Sequence, residues 1–310
     1  MRMPMAVKGS VTASQVKGLR EKAGAGMMDC KKALNECDGD VNAAVDWLRK
    51  KGLAAVTKKA DRSTSSGFVN IAAAADGKAA AIIEMNCETD FAARNDIFMT
   101  SVKQMGTIAA SGAGAGDRER LLAAAFGGDS PTVNDEVTRL VATIGENMNF
   151  RRVQRLSVGD GVVSTYMHMA AGGEPTLGKI GCAVALESTG DAAKLAELGK
   201  QLCLHVAAQS PLSISIDDLD PAAVTREKAV LVDQAKASGK PEAAIEKMVE
   251  GRLRKFYEES CMLEQGFVME SKKKVKDLIA EVSKELGTSI TLKDFGRFEL
   301  GEGIEKKKED

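Results

Sequence analysis

The chain has 310 residues, enough for about two domains with cores of their own, and 44% apolar against 28% charged residues excludes a disordered chain. Only 4% is aromatic, so the core must be Ala, Val, Ile, Leu and Met, and stacking platforms for single-stranded nucleic acid are not expected. The formal charge is −1, yet residues 1–62 carry 13 Lys/Arg against 7 Asp/Glu, a net of +6 that leaves −7 elsewhere. No global field steers the chain onto DNA or lipid.

The first block predicts three short helices. Thr12 and Gln15 fit a capping box, each side chain answering an orphan N–H of the first turn. That helix ends by Gly24-Ala-Gly26, and a second is expected over about 28–37. Asp40 is placed to cap a third over 41–51, with Gly52 in the left-handed position just beyond it. Val16, Leu19, Ala33, Leu34, Val41, Ala44, Val45 and Leu48 supply the apolar faces of a small bundle. Residues 58–67 are polar and aperiodic and read as a linker.

Segments 68–74 and 79–87, around Asp76-Gly77, predict a hairpin, followed by a helix over 92–110. Gly112-Ala-Gly-Ala-Gly116 reads as a flexible linker. No strand stands immediately before it and no Lys-Ser/Thr follows, so it is no phosphate cradle. Strand-like 162–169, a Gly-rich turn and strand-like 179–186 lead into a helix over 191–208. The likeness of Ala-Ala-Ala-Ile-Ile-Glu84 to Cys-Ala-Val-Ala-Leu-Glu187, each before a helix, suggests a duplicated α+β unit. Helices over 224–236 and 242–257, joined by Ser238-Gly-Lys-Pro241, predict an antiparallel helical hairpin. Pro241 suits the first turn of the second helix, and Ile245, Met248, Val249, Leu253 and Phe256 form its stripe. A helix over 273–286, strand-like 288–300 and a charged tail at 305–310 close the chain.

Several chemistries find no residues. His168 and His205 stand in different segments, there is no Cys-x-x-Cys pair, and Cys30 and Cys37 lie two turns apart on one helix, so no metal site and no cofactor is expected. His205, inside Leu-Cys-Leu-His-Val-Ala-Ala, reads as a satisfied core histidine. Six scattered cysteines read as reduced and mostly buried. Without a Gly-x-Ser-x-Gly elbow no nucleophile stands out, and the chain is expected not to be an enzyme. No stretch approaches the roughly 20 apolar residues of a spanning helix. The first eight residues are too short for a secretory signal, so the cytoplasm is expected.

Val16-Lys-Gly-Leu-Arg20 with Lys22-Ala-Gly-Ala-Gly-Met-Met-Asp-Cys-Lys-Lys-Ala-Leu34 resembles the N-terminal signature of the elongation factor Ts family. Asn86-Cys-Glu-Thr-Asp-Phe91 and Ile144-Gly-Glu-Asn-Met-Asn-Phe-Arg-Arg152 match its second and third. His205-Val-Ala-Ala208, Gly239-Lys-Pro241, Lys247-Met-Val-Glu-Gly-Arg252 and Phe298-Glu-Leu-Gly-Glu-Gly-Ile-Glu305 complete the pattern in order. The resemblance runs from residue 11 to 305; residues 1–9 fall outside it.

The resemblance implies a guanine-nucleotide exchange factor for the translational GTPase elongation factor Tu. The implied fold is α+β: an N-terminal three-helix ubiquitin-associated-like domain (1–60) and a linker (61–67), then a duplicated α+β core with antiparallel sheets. Its subdomains would be 68–161 and 162–310, the second with a projecting helical hairpin at about 222–258. In the family, positions matching Arg20, Met27 and Met28 touch the nucleotide domain, and those matching Ile144 and His168 add further contacts. The Phe matching Phe91 enters a pocket between two GTPase helices and disturbs its Mg²⁺ site and phosphate loop, supported by Thr89, Asp90 and Ala92. Ala92 stands where a bulkier Val is common. Some relatives also continue past the Gly-Glu-Gly segment into a further helical module.

The residues alone leave alternatives open. A Met pair serves as core filler or as an exposed soft patch. Thr89 or Asp90 can cap the following helix, and spacing alone favours Phe91 folding back as a hydrophobic staple. His168, alone in a strand-like segment, reads as an ordinary surface or packed residue. The expected partner is elongation factor Tu, GDP-bound and nucleotide-free, with no direct nucleic acid and no membrane; the hairpin leaves a homodimer or a dimer of heterodimers open. The competing readings are a nucleic-acid-binding protein and a ubiquitin-like-binding adaptor, each using the basic first domain.

Overall fold

The computed structural model describes residues 11–23, 25–128, 130–236 and 241–304. Residues 1–9, Gly24, the expected hairpin turn at 238–240 and the tail 305–310 lie outside the described residues. The fold is α+β with antiparallel strand pairing, and the described residues fall into two compact units: one within 1–72, 83–154 and 299–310, the other within 73–82 and 155–298.

In the first unit, Gln15 Oε1 accepts the Thr12 N–H at 2.9 Å and Thr12 Oγ1 accepts the Gln15 N–H at 3.2 Å, so α1 (Ala13–Ala23) starts on its capping box. With α2 (Met27–Glu36) and α3 (Val41–Lys59) it encloses Val16, Leu19, Cys30, Ala33, Leu34 and Ala44. Asp40 caps α3, accepting from Asn42 and Ala43 at 2.8 and 3.0 Å. Gly52 does not end that helix. A Cβ there would meet Thr138 Cγ2 at 3.2 Å and Ala142 Cβ at 3.5 Å, so the glycine permits a close helix–helix approach. The helix therefore consumes the start of the expected linker.

β1 (Ser66–Ala73) and β2 (Ala79–Cys87) form the expected hairpin, turning at Asp76, whose carboxylate accepts the Lys78 N–H at 2.9 Å. Every residue of β2 is buried, which explains its small, near-continuous apolar run. The single helix expected over 92–110 is two, α4 (Asp90–Ala93) and α5 (Asp96–Ala110); Asn95 interrupts them by accepting the Ile97 N–H at 2.9 Å. The glycine run is a built 3-10 turn, Ala113–Gly116, and not a flexible linker. A Cβ on Gly114, at φ +74°, would stand 2.7 Å from the Leu121 nitrogen. Then come α6 (Arg118–Ala123), β3 (Ala125–Gly127), β4 (Ser130–Thr132), α7 (Val133–Ile144) and β5 (Met148–Ser157), which neighbours β2. Sequence reading assigned none of these. Buried Glu84 on β2 gathers Arg151 at 2.9 Å, Arg152 at 2.6 Å and the Gly301 N–H at 2.8 Å, tying the Gly-Glu-Gly segment to the strands.

In the second unit, β6 (Gly161–Ala171) pairs antiparallel with β7 (Glu174–Glu187), and α8 (Ala192–Gln209) packs on both. α9 (Pro221–Lys236) and α10 (Glu242–Ser260) form the hairpin around Leu231, Ala235 and Val249. Pro241 is the N-cap of α10, one position before the expected first turn. β8 (Gly266–Phe267) and β9 (Glu270–Lys274) precede α11 (Val275–Leu286), so the expected last helix starts two residues late; β10 (Thr291–Glu299) runs beside β7. His205 is fully buried and satisfied. Nε2 lies 2.9 Å from Gln265 Oε1, and Nδ1 accepts the Val268 N–H at 3.2 Å; burial, opposed by the Gln265 bond, holds its pKa below the usual value. All six cysteines are free and five are buried, burial pushing the Cys182 thiol up to about 12. Among the described residues no helix is long and apolar enough to cross a membrane.

Candidate functional site

Where β2 ends, the backbone turns out of the sheet and starts the four-residue helix α4. Thr89 is its N-cap and holds the start from both sides. Its Oγ1 accepts the Ala92 N–H at 3.2 Å and donates to Glu146 Oε1 at 2.7 Å, while its backbone N–H donates to Glu146 Oε2 at 3.0 Å. Ala92 and Ala93 face inward and are buried. With those two occupying the inner face, Phe91 points to solvent and is 90% exposed. This overturns the staple expected from spacing. Asp90 is exposed beside it, in the first turn.

Met27 and Met28 open α2, ahead of the inward-facing Cys30, Ala33 and Leu34, and are 59% and 75% exposed. Cys30, Ala33 and Leu34 fill the bundle, so the pair is a surface patch and not core filler. Arg20 is exposed in the last turn of α1, where a cation meets the helix C-terminal dipole favourably. Ile144 is half-buried at the last position of α7, which Gly145 ends at φ +88°. Two residues on stands Glu146, so the end of α7 and the start of α4 meet. His168 belongs to the second unit, exposed on β6, its Nδ1 3.2 Å from the Tyr166 hydroxyl.

Sequence reading missed Glu146. Its signal, an acid just past a helix C-terminus and so set against the dipole, becomes readable only once α7 is placed. Ile97, in the first turn of α5, is a further exposed apolar residue. Among the described residues no three His, Cys, Asp or Glu side chains cluster to hold a metal ion. The arrangement holds an apolar ring out in solvent on a capped helix start.

The family model described as Elongation factor TS matches residues 88–302, more than half the chain. The elongation factor Ts of Rhodospirillum rubrum is 55% identical over 301 residues, covering 97% of this chain and 96% of that protein. That of Paramagnetospirillum magneticum is 54% identical over 97% of this chain and 94% of its own, and that of Caulobacter vibrioides 52% over 97% and 95%. The chain belongs to the elongation factor Ts family. Membership makes it a translation elongation factor, with elongation factor Tu as partner and guanine-nucleotide exchange as role. The elongation factor Ts match opens at Glu88, which accepts the Asn147 N–H, and closes at Glu302, which pairs with Arg152 at 3.1 Å.

Proposed function

We propose that this chain binds elongation factor Tu in its GDP-bound form and expels GDP by seating Phe91 in a crevice of the GTPase, displacing Mg²⁺ and disturbing the phosphate loop. Thr89, Asp90 and Ala92 carry the ring; Arg20, Met27, Met28, Ile144 and His168 supply further contacts. The observation that carries this reading is the 90% exposure of Phe91 on a tip whose cap is bonded to Glu146. Residues 1–60 act as a ubiquitin-associated-like docking module, and 68–161 and 162–310 are the duplicated halves of the core, with the α9–α10 hairpin projecting. The complex forms in the cytoplasm, also in the nucleotide-free state, with no direct role for nucleic acid or membrane.

The energetics are linkage. A factor that weakens nucleotide binding by some ratio is itself bound less tightly, by the same ratio, when nucleotide is present. The test is release of a fluorescent GDP analogue from elongation factor Tu. Release should accelerate with added chain and saturate, and excess GDP should dissociate the complex. Release unaffected at micromolar chain would refute the reading. Binding to nucleic acid that collapses steeply with salt would favour the basic-domain alternative instead.

A further inference from the structure

Glu146 reaches the tip without belonging to it. Its carboxylate takes two hydrogen bonds from one residue, the backbone N–H of Thr89 at 3.0 Å and the Thr89 hydroxyl at 2.7 Å. The hydroxyl oxygen also accepts the Ala92 N–H, so Thr89 fixes both where α4 starts and how it is turned. The loop that carries Glu146 is itself held. Lys59 at the end of α3 donates to the Gly145 carbonyl, and the Asn147 side-chain amide donates to the Arg62 carbonyl at 2.8 Å. The Asn147 N–H donates to Glu88, whose carboxylate also lies 3.4 Å from the Arg62 guanidinium. Residues 59–62, 88–89 and 145–147 thus form one clasp within the first unit.

We propose that Glu146 is a positioning residue for nucleotide exchange: it clamps Thr89 so that Phe91 stands ready at the tip before the partner arrives. This rests on the wedge reading of Phe91. A ring that is oriented in advance loses little freedom on insertion, and misplacing a reacting group by about 1 Å can cost up to about a hundredfold in rate. Because the clasp lies behind the ring, its loss should lower the saturating rate of stimulated GDP release more than it raises the concentration needed for half-saturation.

The experiment compares Glu146→Ala, Thr89→Val, Thr89→Ser, Phe91→Ala and the Phe91→Ala/Glu146→Ala pair, each checked for an unchanged thermal midpoint. Glu146→Ala and Thr89→Val should lower the saturating rate by about three- to thirtyfold while half-saturation moves by less than about threefold. Thr89→Ser, which keeps the hydroxyl, should stay near wild type. The double variant should be no slower than Phe91→Ala alone, because Glu146 acts through the ring. Should Glu146→Ala fail to fold, Glu146→Gln, which leaves the Thr89 cap on Ala92 intact, takes its place. Full activity of Thr89→Val and Glu146→Ala beside a slow Phe91→Ala overturns the clasp and leaves the wedge standing. Multiplicative losses in the double variant also overturn it, since Glu146 would then act on its own. A fully active Phe91→Ala removes the wedge, and the positioning role with it.

Discussion

Phe91→Ala separates the fold from the function with unusual clarity, because the ring is 90% exposed and touches almost nothing of its own chain. Deleting an exposed side chain leaves stability within about 0.5 kcal/mol, so the thermal midpoint should not move. On the proposed wedge reading the same ring becomes buried in the complex, and a fully buried Phe is worth about 1.5–3 kcal/mol over an exposed one. At about 1.4 kcal/mol per decade that is roughly a 10- to 150-fold loss. The loss should appear in the ratio of saturating rate to half-saturating concentration for GDP release. Linkage adds a second readout: the variant's affinity for nucleotide-free elongation factor Tu should fall, and its affinity for the GDP-bound form should fall less. Phe91→Leu, which keeps most of the apolar area, should lose only about threefold. Stimulated release within twofold of wild type for Phe91→Ala, with the fold intact, would refute the wedge.

Met27→Asp with Met28→Asp places two charges on an exposed patch, so the midpoint should hold while the complex weakens by at least about tenfold; unchanged affinity by calorimetry would put the patch outside the interface. Glu84→Ala strips the partner from two half-buried arginines and should cost about 3 kcal/mol, read as a lower denaturant midpoint. Burial pushes the Glu84 pKa up, but bonds from Gly301, Arg151, Asn86 and Arg152 outweigh it and hold the pKa below the ordinary carboxylate value. Its stabilisation is therefore complete above about pH 4.5 and disappears as pH falls through the lowered folded value, so Glu84→Gln should flatten the acid limb of a stability–pH curve. Gly52→Leu should force α3 off α7 and cost about 1–3 kcal/mol, whereas a stabilised variant would show that the approach at Thr138 is not tight.

Local chemistry was legible where it is self-contained. Thr12 with Gln15, and Asp40 before an apolar run, announce caps that need no partner from elsewhere in the chain. Gly52 was misread because a glycine serves either a left-handed stop or a close approach, and only α7, some 90 residues later, decides between them. The stretch from α6 to β5 gave little signal: β3 and β4 have three residues each, too short to show a period. The folded-back Phe91 that spacing alone favours fails for a tertiary reason as well, since the inner face of α4 goes to Ala92 and Ala93. The order of the signatures, by contrast, was readable throughout, and it located the tip that spacing would have buried.

The placement of Glu146 argues that the fold accepts a local cost for the sake of that tip. A carboxylate beyond the C-terminus of α7 opposes the helix dipole, an effect of about 0.3–1 kcal/mol at an exposed end. Two charge-assisted bonds to Thr89 offset it, each of the kind worth about 1.5–3 kcal/mol when intact. A neutral residue at 146 with a free Thr89 cap would avoid the dipole conflict and still let α4 form, because the Oγ1–Ala92 bond needs no partner. What the conflict secures is a fixed relation between α7 and α4, and so a ring whose ordering entropy is lost during folding and not at the encounter. One ring, even so, supplies at most about two decades. A larger displacement of nucleotide requires the methionine patch and the remaining contacts to act in the same complex, so losses from Phe91→Ala and from the Met27/Met28 pair should multiply and not overlap.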